Sequence, residues 1–289
     1  MEEINYKLIV TDMDGTLLNN DKKISERNIE AIRKVREKGI RFAFVSGREY
    51  VFLEKIAREY EIDVDAIGLN GTEIRNDKGE IIWKRLLDRN AVKEILKVLE
   101  DEDMLFKIYC ENEILGTVPK RIDEIITKLL MLKIKKDDIT EELKNEEYQR
   151  LFGRGLTVTD ISNYIDEYDY NVEKIEVLDA DRDLLNKISE KISNITDVFI
   201  TSSYERNIEI LHKEVNKGSA IKKFGEYLGI DSSQIMAFGD NTNDIEMIEV
   251  AGLGIAMENA LDHVKKKADY ITLSNENDGV AYAINKFIK

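Results

Sequence analysis

Short apolar blocks alternate with amphipathic stretches at the start of this chain. Lys7-Leu8-Ile9-Val10-Thr11 is a run of β-formers with no polar face, the pattern of a strand buried on both sides. Ser25 can cap a helix whose Ile29, Ile32 and Val35 share one face. Lys34, Arg36 and Lys38 suit its C-terminal end, and Gly39 stops it. Ile40-Arg41-Phe42-Ala43-Phe44-Val45 reads as the next strand, Phe52, Leu53, Ile56 and Ala57 mark the next helix, and Asp65-Ala66-Ile67-Gly68-Leu69 reads as a third strand. The order β-α-β-α-β predicts a parallel sheet wrapped by helices.

From about Trp83 to Leu211 the rhythm changes. Long helical patterns (Val92 to Leu99, Ile122 to Leu132, Leu184 to Ile192) are separated by strand-like runs at Phe106–Tyr109, Lys174–Val177 and Val198–Thr201, which suggests an inserted α+β module. The regular alternation then returns. Lys217-Gly218-Ser219 opens a helix through Ile221, Phe224 and Leu228, and Ile235-Met236-Ala237-Phe238 is a strand. A helix with Ile245, Ile248 and Val250 follows, then strands at Gly254–Met257 and Tyr270–Leu273 and a last helix from Gly279 to Ile288. The expected fold class is therefore α/β, a Rossmann-like parallel-sheet core made of residues 1–83 and 212–289, with residues 84–211 as an inserted α+β domain.

Composition narrows the function classes. The 289 residues are 43% hydrophobic, enough for a sizeable core, and Lys+Arg 43 against Asp+Glu 58 leaves a formal net charge of −15. That field repels a phosphate backbone, so nucleic acid is not the expected partner. No apolar run approaches the roughly 18 residues that span a bilayer, so no membrane partner is expected. The start, Met1-Glu2-Glu3-Ile4-Asn5, lacks the apolar segment of a signal peptide. A cytoplasmic protein, monomer or homodimer, is the expectation. One cysteine, Cys110, leaves no disulfide framework and no thiolate zinc site.

Chemistry is concentrated at predicted strand ends, where α/β sheets bind ligands. Asp12 and Asp14 leave the first strand on the same side, and Gly15 permits the turn that ends it. Two carboxylates held together ask for a cation between them, a proton on one, or both. A solvated turn fits the tetrapeptide equally well. A calcium loop does not, because Thr16-Leu17-Leu18 supplies no further oxygen ligands in phase. Gly239-Asp240-Asn241-Thr242-Asn243-Asp244 again places acids after a strand at a helix start, where Asp240 or Asn241 can also be a simple N-cap. Lys217 by itself is an ordinary helix-start lysine. No dinucleotide fingerprint, Walker A loop, nucleophile elbow or His-Glu-x-x-His pair occurs, and His212 and His263 read as structural or surface residues.

Taken together, the motifs resemble the haloacid dehalogenase superfamily, specifically its Cof-type, class IIB capped phosphatases. Asp12-Met13-Asp14-Gly15-Thr16 is similar to the first motif of that family and Val45-Ser46-Gly47-Arg48 to the second. Asn216-Lys217-Gly218 is similar to the third and Gly239-Asp240-x-x-Asn243-Asp244 to the fourth, with Asn241 where many relatives have glycine. The insert after the third strand matches the larger, α/β type of cap. The resemblance implies a phosphatase with Mg²⁺ as cofactor and a small phosphorylated metabolite as substrate. Asp12 would be the nucleophile that forms an aspartyl-phosphate, and Asp14 the acid and base. Asp12, the Asp14 main-chain carbonyl and Asp240 would hold the metal, with Asp244 holding a metal-bound water. Ser46, the Gly47 amide, Lys217 and Asn243 would bind the phosphoryl oxygens, with the Met13 and Gly15 amides as further contacts and Thr16 orienting Asp14. The cap would close over the site and select the leaving group, with Arg154, Arg150, Arg182 and Tyr148 as candidates that are equally well explained as surface residues. Sugar phosphates are the default substrates such relatives suggest; nucleotides, flavin mononucleotide and pyridoxal phosphate are alternatives.

Three competing readings are weaker. A phosphomutase of the same superfamily commonly carries a cap between the first two motifs, where this chain has no room. A signalling receiver domain would need its aspartate after the third strand, where Asn70-Gly71 stands. A phosphometabolite-binding protein without turnover would carry the same motifs.

Overall fold

The computed structural model describes residues 6–111 and 113–288; the acidic segment Met1-Glu2-Glu3-Ile4-Asn5 lies outside them. The chain divides into two compact units, Met1–Arg85 with Glu214–Lys289, and Leu86–Lys213.

The first unit begins with β1 (Leu8–Asp12), α1 (Glu26–Glu37), β2 (Arg41–Val45), α2 (Tyr50–Glu59) and β3 (Asp65–Gly68), followed by a hairpin of β4 (Glu73–Arg75) and β5 (Ile81–Lys84). The second unit comprises α3 (Arg89–Asp101), β6 (Leu105–Cys110), β7 (Glu113–Thr117), α4 (Ile122–Met131), α5 (Glu141–Phe152), β8 (Leu156–Thr157), α6 (Ile161–Glu167), β9 (Val172–Leu178), α7 (Arg182–Ser193), β10 (Val198–Thr201) and β11 (Asn207–His212). The chain then returns to the first unit through α8 (Lys217–Leu228), β12 (Ile235–Gly239), α9 (Ile245–Val250), β13 (Leu253–Ala256), α10 (Asp262–Lys265), β14 (Tyr270–Ile271) and α11 (Gly279–Phe287).

The first unit is built on an eight-stranded sheet in the order β14-β13-β12-β1-β2-β3-β4-β5, parallel from β14 through β3 and antiparallel in the last hairpin. β1 is central and every residue of it is buried, as a strand with apolar side chains on both faces must be. Alternation along the strands sends Ile9, Phe42, Phe44, Met236 and Phe238 to one side, where α1, α2 and α11 cover them. Leu8, Val10, Ala43, Val45, Ile235 and Ala237 go to the other, against Ile221 and Phe224 of α8 and Met247 of α9. The Ser25 cap is present: its side chain accepts the Asn28 amide hydrogen.

The hairpin after Asn70-Gly71 departs from expectation, since the sequence pattern placed no strands there. Ile74, Ile82 and Trp83 pack on the core, and charge pairs accompany them. Glu73 faces Lys84 across the ladder and also pairs with Arg75, while only Ile74 is fully buried. The last parallel strand is also shorter than expected, Tyr270–Ile271, although the Thr272 amide still donates to the Ala256 carbonyl at 2.9 Å and its hydroxyl to the Gly279 carbonyl at 2.7 Å.

The second unit has a six-stranded sheet in the order β10-β11-β9-β6-β7-β8, antiparallel except for the short β7–β8 pair. One face carries Phe106, Ile108, Ile175, Val177, Ile208 and Ile210 against α3 and α7. The opposite face is polar yet buried. Lys174 and Glu209 lie 2.6 Å apart and are each 2% exposed, and Tyr109 and Asn207 donate hydrogen bonds to Glu176. Two strand-like sequence runs in this unit proved longer than their apolar cores, and α5, with only Leu143, Leu151 and Phe152 apolar in twelve residues, had no readable helical stripe.

Candidate active site

Three neighbouring parallel strands of the first unit end side by side. The register pairs Asp12 with Val45 and Thr11 with Phe238, so the residues leaving β1, β2 and β12 are the Asp12–Thr16 turn, Ser46-Gly47-Arg48 and Asp240. The turn after β1 is closed by bonds from the Leu17 amide to the Asp12 carbonyl (3.3 Å) and the Leu18 amide to the Met13 carbonyl (2.8 Å). Asn259 and Asn275, from the far end of the chain, brace it by donating to the carbonyls of Gly15 and Leu18. Gly15 is required twice over. Its φ of +86° suits no ordinary side chain, and a Cβ there would lie 2.5 Å from Asp240 Oδ2.

Lys217 is the first residue of α8, whose N-cap Asn216 forms a reciprocal capping box with Ser219. A cation at the positive end of a helix is misplaced electrostatically, and this one is buried as well, at 1% exposure. Two carboxylates compensate: Nζ donates to Asp12 Oδ1 at 2.5 Å and to Asp244 Oδ1 at 2.6 Å. Burial alone would depress the lysine, but Asp12 and Asp244 outweigh it and hold its pKa above the ordinary range. Lys217 is therefore an ammonium ion fixed between the first and fourth motifs rather than a solvated helix-start residue.

Asp244 is itself fixed. Its Oδ2 accepts the amides of Asp240 and Asn241, each at 2.9 Å, so the loop after β12 wraps around a fully buried carboxylate. Carboxylate oxygens of Asp12, Asp240 and Asp244 all lie within 4.8 Å of one another. Burial pushes the Asp12 carboxyl well above the usual range, Lys217 opposing and Asp244 and Asp240 adding to the rise. Burial and the neighbouring Asp244 push Asp240 up to about 7. Three clustered carboxylates, with Asp12 and Asp240 raised, form a candidate site for a cation, and an all-oxygen donor set suits a hard divalent ion.

The Thr16 hydroxyl is not bonded to Asp14. It donates to Asp240 Oδ1 at 2.6 Å, because the turn closed by Gly15 directs it across the strand ends. The Asp14 side chain is not among the three acids whose oxygens lie within 4.8 Å of one another. It is held by Arg48 and by Lys22 instead. Burial would raise its pKa, but hydrogen bonds from Arg48 and Lys22 lower it below the usual carboxylate value. Ser46 is buried at the end of β2, its hydroxyl accepting the Arg48 amide at 3.2 Å, with Gly47 half-buried beside it. Met13 is fully buried and can offer the site only its backbone. Asn243 donates to Asn70 Oδ1 at 3.1 Å, and the Asn70 amide donates to the Ser46 carbonyl at 2.8 Å, so β3 supports both the second and fourth motifs. Asn70, at φ 56°, was legible only as a polar residue at a strand end.

Within the second unit, Arg150 pairs with Glu147, Arg182 donates to the Glu205 carbonyl, and Tyr148 packs on Phe152 with ring centroids 4.7 Å apart. His212 is buried in β11 and His263 Nε2 lies 3.0 Å from the Thr242 hydroxyl; neither is a member of the acid cluster.

Comparison with known proteins places these features in context. A family model described as haloacid dehalogenase-like hydrolase matches residues 9–284. A 5-amino-6-(5-phospho-D-ribitylamino)uracil phosphatase of Bacillus subtilis is 31% identical over 283 residues, covering 98% of both chains. Among solved structures, a haloacid dehalogenase-like hydrolase from B. subtilis superposes with a TM-score of 0.80 at 25% identity, over 96% of this chain and 99% of that one. A subclass IIB sugar phosphatase of the same superfamily shares the fold with a TM-score of 0.76 at 23% identity, over 97% of this chain and 98% of that one.

Proposed function

Because this chain belongs to the haloacid dehalogenase-like hydrolases and is a phosphatase of that family, we propose that it hydrolyses small phosphorylated metabolites, sugar or sugar-alcohol phosphates first among them, through an aspartyl-phosphate on Asp12 with Mg²⁺ bound. One observation carries the reading: a buried lysine, Lys217, bonded to the proposed nucleophile at the edge of a three-acid cluster.

Asp12, the Asp14 main-chain carbonyl and Asp240 would hold Mg²⁺, with Asp244 supporting it from behind; the clustering of their oxygens fits such an ion. Bound there, the metal neutralises the charge that would otherwise keep an anionic carboxylate from an anionic phosphate.

The chain's own residues do the rest. Lys217 keeps Asp12 oriented as a nucleophile and favours its ionised form against the effect of burial, and with Ser46, the Gly47 amide and Asn243 it would bind the phosphoryl oxygens, on which charge spreads in the transition state. As an Asp12 oxygen bonds to phosphorus, the bond to the substrate oxygen breaks, and Asp14 gives that oxygen a proton so that it leaves as a neutral alcohol. Asp14 then takes a proton from the water that attacks the aspartyl-phosphate, releasing inorganic phosphate and restoring Asp12. In the free protein Arg48 and Lys22 keep Asp14 ionised, and the incoming phosphate dianion works against them, so Asp14 takes up its proton as substrate binds.

The substrate class rests on the relatives. The ribitylaminouracil phosphatase named above acts, by its name, on a phosphorylated sugar alcohol. Phosphate release from a panel of sugar, sugar-alcohol, nucleotide and cofactor monophosphates, with and without Mg²⁺, tests the reading. Turnover of a sugar or sugar-alcohol phosphate that vanishes with EDTA and in Asp12→Asn supports it. Turnover that survives Asp12→Asn would refute the nucleophile.

A further inference from the structure

Arg48 ends the second motif, and beyond helping to keep Asp14 ionised before substrate binds it has no task in the reaction. Its guanidinium nevertheless makes the tightest geometry around Asp14. Nε donates to Asp14 Oδ2 at 2.6 Å and Nη2 to Oδ1 at 2.9 Å, a fork matched to both carboxylate oxygens. Lys22 adds a third bond, to Oδ1 at 2.9 Å.

Arg48 is braced in turn. Its Cζ lies 4.1 Å from the centre of the Phe52 ring on α2. Its backbone is pinned on both sides, the amide donating to the Ser46 hydroxyl at 3.2 Å and the carbonyl accepting the Leu69 amide at 2.9 Å. The side chain is 38% exposed, so the pair is screened and adds little to stability. Orientation is what it supplies. An aspartate with one rotatable bond beyond Cβ can turn its oxygens away from a departing group, and a two-point clamp on a rigid loop stops that.

We propose that Arg48 is the positioning residue that fixes the Asp14 carboxyl for proton transfer to the leaving oxygen. The inference rests on the reading of Asp14 as the proton donor. It predicts an effect that depends on the leaving group, because a good leaving group departs without a proton and a poor one needs it.

The test compares kcat/KM, which reports the steps through P–O cleavage, for p-nitrophenyl phosphate and for phenyl phosphate, nearly the same size but with the poorer leaving group. In Arg48→Ala the phenyl ester should lose about 100-fold, and at least about tenfold more than the p-nitrophenyl ester. Arg48→Lys keeps the charge without the fork and should show the same skew. Arg48→Ala added to Asp14→Asn should cost almost nothing further, since the residue to be positioned is already disabled. Equal losses on both esters, or losses that add fully to those of Asp14→Asn, would overturn the role of Arg48 while leaving Asp14 as the acid. If Asp14→Asn itself shows no leaving-group skew, the reading of Asp14 fails and the inference falls with it.

Discussion

The Lys217 ammonium reaches across 205 positions of sequence to bond Asp12 Oδ1 at 2.5 Å. Removing it has two separable consequences. Lys217→Ala deletes a donor that would face the transferring phosphoryl group, a loss of about 3 kcal/mol of transition-state stabilisation, on the order of 10²-fold in kcat/KM. It also leaves Asp12 and Asp244 buried without their cation, and Asp244 is 0% exposed. Steady-state kinetics and thermal melting of the variant should therefore show both reduced turnover and a lowered Tm. Undiminished kcat/KM would remove Lys217 from the proposed machinery.

Thr16 gives a prediction about the metal rather than about the phosphate. Its 2.6 Å bond fixes the Asp240 carboxylate, and supports of this kind tune metal affinity. Thr16→Val keeps the shape and loses the hydroxyl. Activation should require about 10- to 100-fold more Mg²⁺, with kcat at saturating metal much less affected. A Mg²⁺ titration of activity distinguishes this from a role in orienting Asp14, which would lower kcat at every metal concentration.

These two residues also mark what can be read from the chain alone. Asp12, Asp240 and Lys217 stand at ends of strongly patterned strands and helices, so their convergence follows once a parallel sheet is inferred. The partner of Thr16 could not be read, because proximity in sequence favours Asp14 whereas the turn through Gly15 sends the hydroxyl to a residue 224 positions away. The β4–β5 hairpin was hidden for a different reason. Glu73-Ile74-Arg75 has too few residues for a periodic signal, and one of its cross-strand contacts is a charge pair, Glu73 with Lys84. In β9, Lys174-Ile175-Glu176-Val177 alternates as a half-solvated strand should, yet all seven residues of the strand are buried. Alternation reports that two faces differ; it does not report whether the polar one meets water.

The acid cluster makes stability depend jointly on pH and metal. In the metal-free protein burial holds the Asp12 carboxyl well above, and burial with the nearby Asp244 holds Asp240 at about 7, against an ordinary value of 3.8. Between those limits the folded chain keeps protons that the unfolded chain has lost, so this contribution is complete below the unfolded value and is lost as pH rises through about 7. A divalent ion replaces the protons, and the replacement costs least where they have already gone. The rise in Tm on adding Mg²⁺ should therefore be larger at about pH 8 than at about pH 5. Equal shifts at both pH values would mean that these carboxylates do not bind the ion.

The buried pair in the second unit tests whether that polar sheet face is specified by mutual satisfaction. Lys174 and Glu209 are each 2% exposed and 2.6 Å apart, and the Lys174 ammonium also lies 4.4 Å from the centre of the Tyr109 ring. Lys174→Met removes the cation that lies 2.6 Å from the buried Glu209 carboxylate and should destabilise the protein by about 3–5 kcal/mol. Adding Glu209→Leu removes that charge and should recover most of the loss, because an apolar pair of similar volume satisfies the face nearly as well. Thermal melting of the two single variants and the double variant measures the coupling directly. Single losses that merely add would mean that each side chain is stabilised by its other neighbours, and that the pair itself contributes little to holding β9 against β11.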